Sequence, residues 1–238
     1  MARADIPARE RLIFAMDVPD ADAARRLADS LGDSVSFYKI GLELFTSGGA
    51  WELLDWMIRR GKRVFLDLKF FDVPATVAAA VRNLRGRGIT FTTVHGNQAI
   101  MEAAAQAAAG DVGILAVTVL TSLDRGDLDD LGFACDVGEL VLSRARRALA
   151  AGCAGVISSG LEARTLRAGV DDRLIVVTPG IRPVENRPAD DQKRVVDVAQ
   201  AFGNGADYIV VGRPIRDAAD PRAAALAIQA TITGIFAG

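Results

Sequence analysis

The sequence predicts a (β/α)8 barrel, a closed parallel sheet ringed by helices. Three observations carry that prediction. Short apolar runs alternate with helical patterns along the whole chain, the rhythm of parallel strands joined by helices. The rhythm repeats eight times in 238 residues with no linker-like break, close to the roughly 250 residues typical of one such barrel. Charged residues gather where the predicted strands end, the face on which these barrels carry active sites. The alternative is an open doubly wound sheet. It fits less well, because the first turn, Met16 to Asp20, has no dinucleotide-type glycines, and the isolated Gly203-x-Gly205 precedes a strand instead of following one.

The elements are predicted in order as follows. A first strand is expected from Arg11 to Asp17, an apolar run closed by a carboxylate. Asp20 or Asp22 is expected to cap a helix through about Leu31. A second strand is expected from Val35 to Ile40, then a helix from Ala50 to Arg60 that Gly61 ends. A third strand is expected from Arg63 to Leu68, with Val73-Pro74 stopping it and a helix from Ala75 to Arg85 after it. Ile89 to Val94 reads as the fourth strand, followed by an alanine-rich helix to Ala109. Val112 to Val119 reads as the fifth, then a long polar loop to Cys135 and a helix from Val137 to Ala151. Ala154 to Ile157 and Leu161 to Ala168 read as a short strand and a short helix. Leu174 to Thr178 reads as the seventh strand, then a loop rich in Pro, Asn and Asp and a helix from Lys193 to Phe202. Tyr208 to Val211 reads as the eighth, with a terminal helix beyond. One barrel domain over residues 1–238 is expected, with 1–10 as a loosely ordered N-terminal extension.

Composition narrows the function classes. Half the residues are hydrophobic, enough for a sizeable core, and the formal net charge is −2 with no basic block. That disfavours nucleic acid as a partner. Cys135 and Cys153 stand far apart and match no metal or redox spacing, so they read as small hydrophobes in a reducing cytosol. The N-terminus lacks the apolar core of a signal peptide, and no apolar run is long enough to span a bilayer. A cytoplasmic protein with no membrane partner is expected. The basic residues are nearly all arginine; the lysines are Lys39, Lys62, Lys69 and Lys193. Arginine stays protonated at working pH, whereas lysine can exchange a proton when its site tunes it. Lysine at two predicted strand ends is a hint of proton chemistry.

Two clusters form at the strand ends. Asp17, Lys39, Asp67, Lys69 and Asp72 come from the first three strands and the turn after the third. Alternation puts Phe65, Asp67 and Lys69 on one strand face. Such an array of alternating sign is either a salt-bridge network at the barrel mouth or a proton donor beside a fixed negative charge, suited to making and protonating a carbanion. Gly180, Arg182, Gly212 and Arg213 follow strands seven and eight, where barrels often hold phosphate, and Gln192 could close over the same group. The plainer reading pairs Arg213 with Asp217 and leaves Arg182 in solvent. His95 reads as a structural, hydrogen-bonded histidine.

These motifs resemble the orotidine 5′-monophosphate decarboxylases over nearly the whole chain. The resemblance rests on Phe-Ala-Met-Asp17, Tyr-Lys39-Ile-Gly, Asp67-Leu-Lys69-Phe-Phe-Asp72-Val-Pro-Ala-Thr76, Val-Thr-Val-Leu-Thr121-Ser, Thr-Pro-Gly-Ile-Arg182 and Val-Gly212-Arg213-Pro-Ile. The Asp-x-Lys-x-x-Asp core alone is shared with sister enzymes acting on sugar phosphates with magnesium, in which a glutamate stands where this chain has Lys39. The resemblance implies a homodimer with shared sites, the substrate orotidine 5′-monophosphate, and no metal or other cofactor. It implies Lys69 as the proton donor to C6, Asp67 against the substrate carboxylate, and Lys39 linking Asp67 to the ribose. Asp72 and Thr76 would serve the neighbouring subunit's site. Asp17 would hold ribose hydroxyls, Thr121 would meet the pyrimidine, and Arg182, Gln192, Gly212 and Arg213 would take the phosphate. The chain departs from the bacterial pattern at Phe71 and Ala75, where His and Asn are usual, at Val73, where isoleucine is common, and across His95 to Gln98.

Overall fold

Apolar strands of this length bury both faces only if the sheet closes and helices cover its outside. The computed structural model does this; it describes residues 5–182 and 194–237. The strands β1 Leu12–Ala15, β2 Phe37–Gly41, β3 Arg63–Phe70, β4 Phe91–Val94, β5 Gly113–Val117, β6 Gly155–Ile157, β7 Ile175–Thr178 and β8 Tyr208–Val211 form a closed parallel barrel in sequence order. Around it run α1 Ala21–Leu31, α2 Leu42–Thr46, α3 Ala50–Arg59, α4 Pro74–Arg82, α5 Gln98–Ala108, α6 Arg125–Asp130, α7 Val137–Ala150, α8 Ala163–Gly169, α9 Val198–Gly203, α10 Arg213–Arg216 and α11 Pro221–Phe236. No helix among the described residues is long and apolar enough to cross a membrane.

The pleat sorts side chains into two cores. Leu12, Phe14, Tyr38, Ile40, Val64 and Leu66 face the helices, while Ile13, Ala15, Phe37, Phe65, Phe91 and Tyr208 fill the barrel. The rings of Phe37, Phe65, Phe91 and Tyr208 meet at centroid distances of 5.6 to 6.3 Å. Aromatic contacts of this kind add roughly 0.5–1.5 kcal/mol each beyond area burial. They plug the lower barrel and leave the interior free for polar groups only toward the strand C-termini.

The structure sharpens several sequence expectations. Asp20 caps α1, accepting from the Ala23 amide at 2.7 Å. The stretch expected as a polar loop contains α6, opened by a capping box of Asp124 and Asp127 that supplies partners for its first amides. The helix expected from Lys193 begins at Val198, because Asp197 caps it and Val196 is held in a bridge to Ile181. The described part of the N-terminal extension, Asp5 to Glu10, makes contacts with the barrel. Ile6 is buried in the barrel core, Glu10 pairs with Arg63, and the Arg9 carbonyl accepts from Ser36 and Gln229.

Candidate active site

Three phenylalanines of the plug set the height of the site. Lys39, Asp67 and Thr93 each stand two residues beyond Phe37, Phe65 and Phe91, so the pleat lifts them one layer toward the open end. Above the plug lies a cavity of about 290 Å3. Asp17, Lys39, Asp67, Lys69, Thr121, Arg182, Gly212 and Arg213 all line it. The two clusters read from the sequence therefore line a single cavity.

The charges form a chain of alternating sign. Lys69 Nζ donates to both Asp67 oxygens at 2.9 Å. Lys39 Nζ lies 3.7 Å from Asp67 Oδ2 and donates to Asp17 Oδ1 at 3.0 Å. Gly41 makes room for it, since a Cβ there would lie 3.0 Å from Lys39 Nζ. Asp67 is only 8 % exposed. Burial pushes its carboxyl up, but the Lys39 and Lys69 charges and the hydrogen bonds from Lys69 and Thr93 outweigh that and hold it below the ordinary carboxylate range. A buried carboxylate is thereby kept ionised against a proton-bearing amine.

Strict alternation does not extend to Lys69. Leu66 pairs with Thr92 and Phe70 with Val94, so β3 uses two more residues than β4 between those pairs. The bulge is taken up at Lys69, whose φ is 48°, a left-handed conformation uncommon outside glycine. Its amide, turned out of the ladder, donates to Thr93 Oγ1 at 2.9 Å. The kink is what lets Lys69, two residues past Asp67, return to the same carboxylate.

The part of the lining that follows β7 and β8 is cationic. Arg182 is 8 % exposed, and its NH1 donates to its neighbour's carbonyl, Ile181 O, at 2.9 Å. It is thus not the solvated side chain of the plainer reading. Asp217 is hydrogen-bonded by its neighbour Arg216, through two bonds of 2.6 and 3.0 Å, and the Arg213 charge also acts on it. Arg216 NH1 also donates to Asp17 O at 2.8 Å, joining the ends of β1 and β8. Gln192 lies outside the described residues. The turn bearing Thr121 is gripped from behind. Arg194, paired with Glu162, donates to the carbonyls of Val119 and Leu120, and Arg144 donates to that of Thr118.

Asp72 and Thr76 are not brought to this cavity. Both are exposed on the rim, and Asp72 Oδ1 accepts from the Val73 amide at 2.6 Å. Their neighbours Phe71 and Val73 are 70 % and 62 % exposed. The Phe71 ring packs edge-on to His95 at 5.6 Å. Burial, then Arg144 and Lys69, push the His95 pKa down. Among the described residues, no group of three or more His, Cys, Asp and Glu is arranged to hold a metal.

Sequence reasoning missed Ser122 and Arg216, which line the cavity, and Thr93, which touches both members of the charged pair. A signal for Thr93 exists. Phe37-x-Lys39, Phe65-x-Asp67 and Phe91-x-Thr93 repeat one pattern on three consecutive strands, and the third polar position belongs with the other two.

Comparison with known proteins places this geometry in context. The family model described as Orotidine 5'-phosphate decarboxylase / HUMPS family matches residues 10–228. An orotidine 5'-phosphate decarboxylase of Methylococcus capsulatus is 68% identical over 232 residues, 98% of this chain and 96% of that protein. One from Stenotrophomonas maltophilia is 53% identical over 240 residues, 100% and 99% of the two chains. Among solved structures, the orotidine 5'-phosphate decarboxylase of Lactobacillus acidophilus superposes with a TM-score of 0.82 at 35% identity, covering 94% of this chain and 99% of that one.

Proposed function

The chain belongs to the orotidine 5'-phosphate decarboxylase / HUMPS family, and on that premise we propose how its residues carry out the reaction. The protein decarboxylates orotidine 5′-monophosphate to uridine 5′-monophosphate, the closing step of UMP biosynthesis. The observation that carries the assignment of roles is that the Asp17–Lys39–Asp67–Lys69 chain lines one cavity with Arg182 and Arg213. Arg182, Arg213, Gly212 and Gln192 take the phosphate. Asp17 and Lys39 hold the ribose, and Thr121 meets the pyrimidine.

The substrate carboxylate is set against Asp67. As the C6–carboxylate bond breaks, CO2 leaves and the electron pair stays on C6. The Lys69 ammonium opposes the growing charge and delivers its proton to C6, forming the new C–H bond. Water then reprotonates the Lys69 amine. Binding of the remote phosphate supplies the energy that presses the ring against this array.

Asp72 and Thr76 serve the partner's site in a homodimer. Their exposure beside the apolar Phe71 and Val73 on the rim supports this, since such patches mark association faces. Ala75 brings only a methyl group to that face. The free cysteines Cys135 and Cys153 accord with a cytoplasmic setting.

Lys69→Ala is the direct test, read by the loss of orotidylate absorbance. Turnover should fall at least about a thousandfold, while uridylate still binds. Turnover at the wild-type rate in purified Lys69→Ala would remove Lys69 from this role.

A further inference from the structure

Resting on the assignment of Asp67 and Lys69 as the reacting pair, we propose that Thr93 is the positioning residue that fixes the two to each other. Its hydroxyl is fully buried and makes two contacts. It donates to Asp67 Oδ1 at 2.8 Å and accepts from the Lys69 amide at 2.9 Å. One oxygen thus holds the carboxylate of one residue and the backbone of the other.

The need for such a pin follows from the bulge. Lys69 stands at φ 48°, a conformation that costs an ordinary side chain energy and persists only where its surroundings over-determine it. The bulge takes the Lys69 amide out of the regular pairing with β4. A buried amide without a partner would favour relaxation back into the ladder. Thr93 removes that incentive, because its Oγ1 receives the amide. The same hydroxyl hydrogen points at Asp67, so the carboxylate cannot rotate toward the Lys39 side without breaking the bond. Asp67 Oδ1 is therefore shared between Thr93 and Lys69, while Oδ2 lies between Lys69 and Lys39. Thr93 is not placed to touch substrate: its contacts are to Asp67 and to the main chain, and it does not line the cavity. Its effect is transmitted through the direction in which Lys69 carries its proton.

The hydroxyl and the methyl of Thr93 can be separated by substitution. Thr93→Val keeps the shape and the strand preference but has no donor or acceptor. Its kcat should fall about 10- to 100-fold, the scale of a small misplacement of reacting groups, with KM for orotidylate within about threefold of wild type. Thr93→Ser keeps the hydroxyl and should recover kcat to within about threefold. The acid limb of the pH profile should move to higher pH in Thr93→Val and stay in place in Thr93→Ser, because only the former lacks the hydroxyl that donates to Asp67. Should Thr93→Val not fold, Thr93→Ala and Thr93→Ser are compared instead, with the same order expected. Equal impairment in the hydroxyl-bearing and hydroxyl-free variants, or an undiminished kcat in Thr93→Val, overturns the proposal. If Lys69→Ala itself keeps turnover, the underlying reading fails and this proposal with it. If Lys69→Ala is inactive and Thr93→Val is not impaired, only the role of Thr93 falls.

Discussion

At Asp67 three effects compete. Burial favours the neutral acid; the Lys39 and Lys69 charges and the hydrogen bonds from Lys69 and Thr93 favour the ion and prevail. The sign of the pH dependence follows. A carboxyl whose folded pKa lies below its unfolded value, about 3.9, contributes stability that is fully present above that value. The contribution is lost as pH falls through the lower folded pKa. In Asp67→Asn this titration is absent. The difference in unfolding free energy between wild type and Asp67→Asn should therefore be larger at neutral pH than in acid below the ordinary carboxylate range. Urea denaturation of both proteins at the two pH values measures it, and an unchanged difference would sink the argument. Asp67 and Lys69 are legible in the sequence because charges in an apolar strand stand out. Thr93 is legible only through the Phe-x-polar repeat it shares with Lys39 and Asp67, because threonine by itself is an ordinary strand residue whose hydroxyl is as much at home on a carbonyl as in a site. Thr92, next to it, does that, donating to Leu66 O at 2.9 Å.

Element by element, the strand and helix order was readable because periodicity switches cleanly between two and 3.6. What escaped were local devices. The kink in β3 leaves no mark in composition, since Lys69 is not a glycine, and the short helix α6 lacks an apolar stripe. The close approach of β6 to β7 is another such device. Gly155 pairs with Ile175, and a Cβ on it would lie 2.3 Å from Ile175 O. The obstacle is backbone, so one strand must move, and β7 leads directly into Gly180 and Arg182. Gly155→Ala should destabilise the fold by about 1–3 kcal/mol. Gly203→Ala, at the end of α9 with nothing within 4 Å of the added carbon, should be neutral or stabilise by about 0.4–1 kcal/mol. Denaturation midpoints check both; equal midpoints for the two variants would show that the contact between β6 and β7 yields.

On the scale of the whole molecule, one chain assembles a cavity lined by lysines, a buried carboxylate and arginines, yet leaves Asp72 and Thr76 outside on the rim. The motif that carries Asp67 and Lys69 thus continues across Val73 and Pro74 onto a different surface. Pro74 opens α4, and that turn directs Asp72 away from its own cavity. If each site combines Lys69 of one subunit with Asp72 of the other, a two-fold dimer contains two such sites. Lys69→Ala and Asp72→Ala should then each be inactive alone and regain activity together. In a mixed dimer one site carries both lesions and the other carries neither. With subunits fully exchanged at equal amounts, half of the dimers are mixed, so roughly a quarter of wild-type turnover should return. Orotidylate turnover after mixing, compared with each parent, reads this directly. Recovery identifies Asp72 as a residue lent to the partner, whereas no recovery from two well-folded, exchanging variants means that each cavity works with its own chain alone.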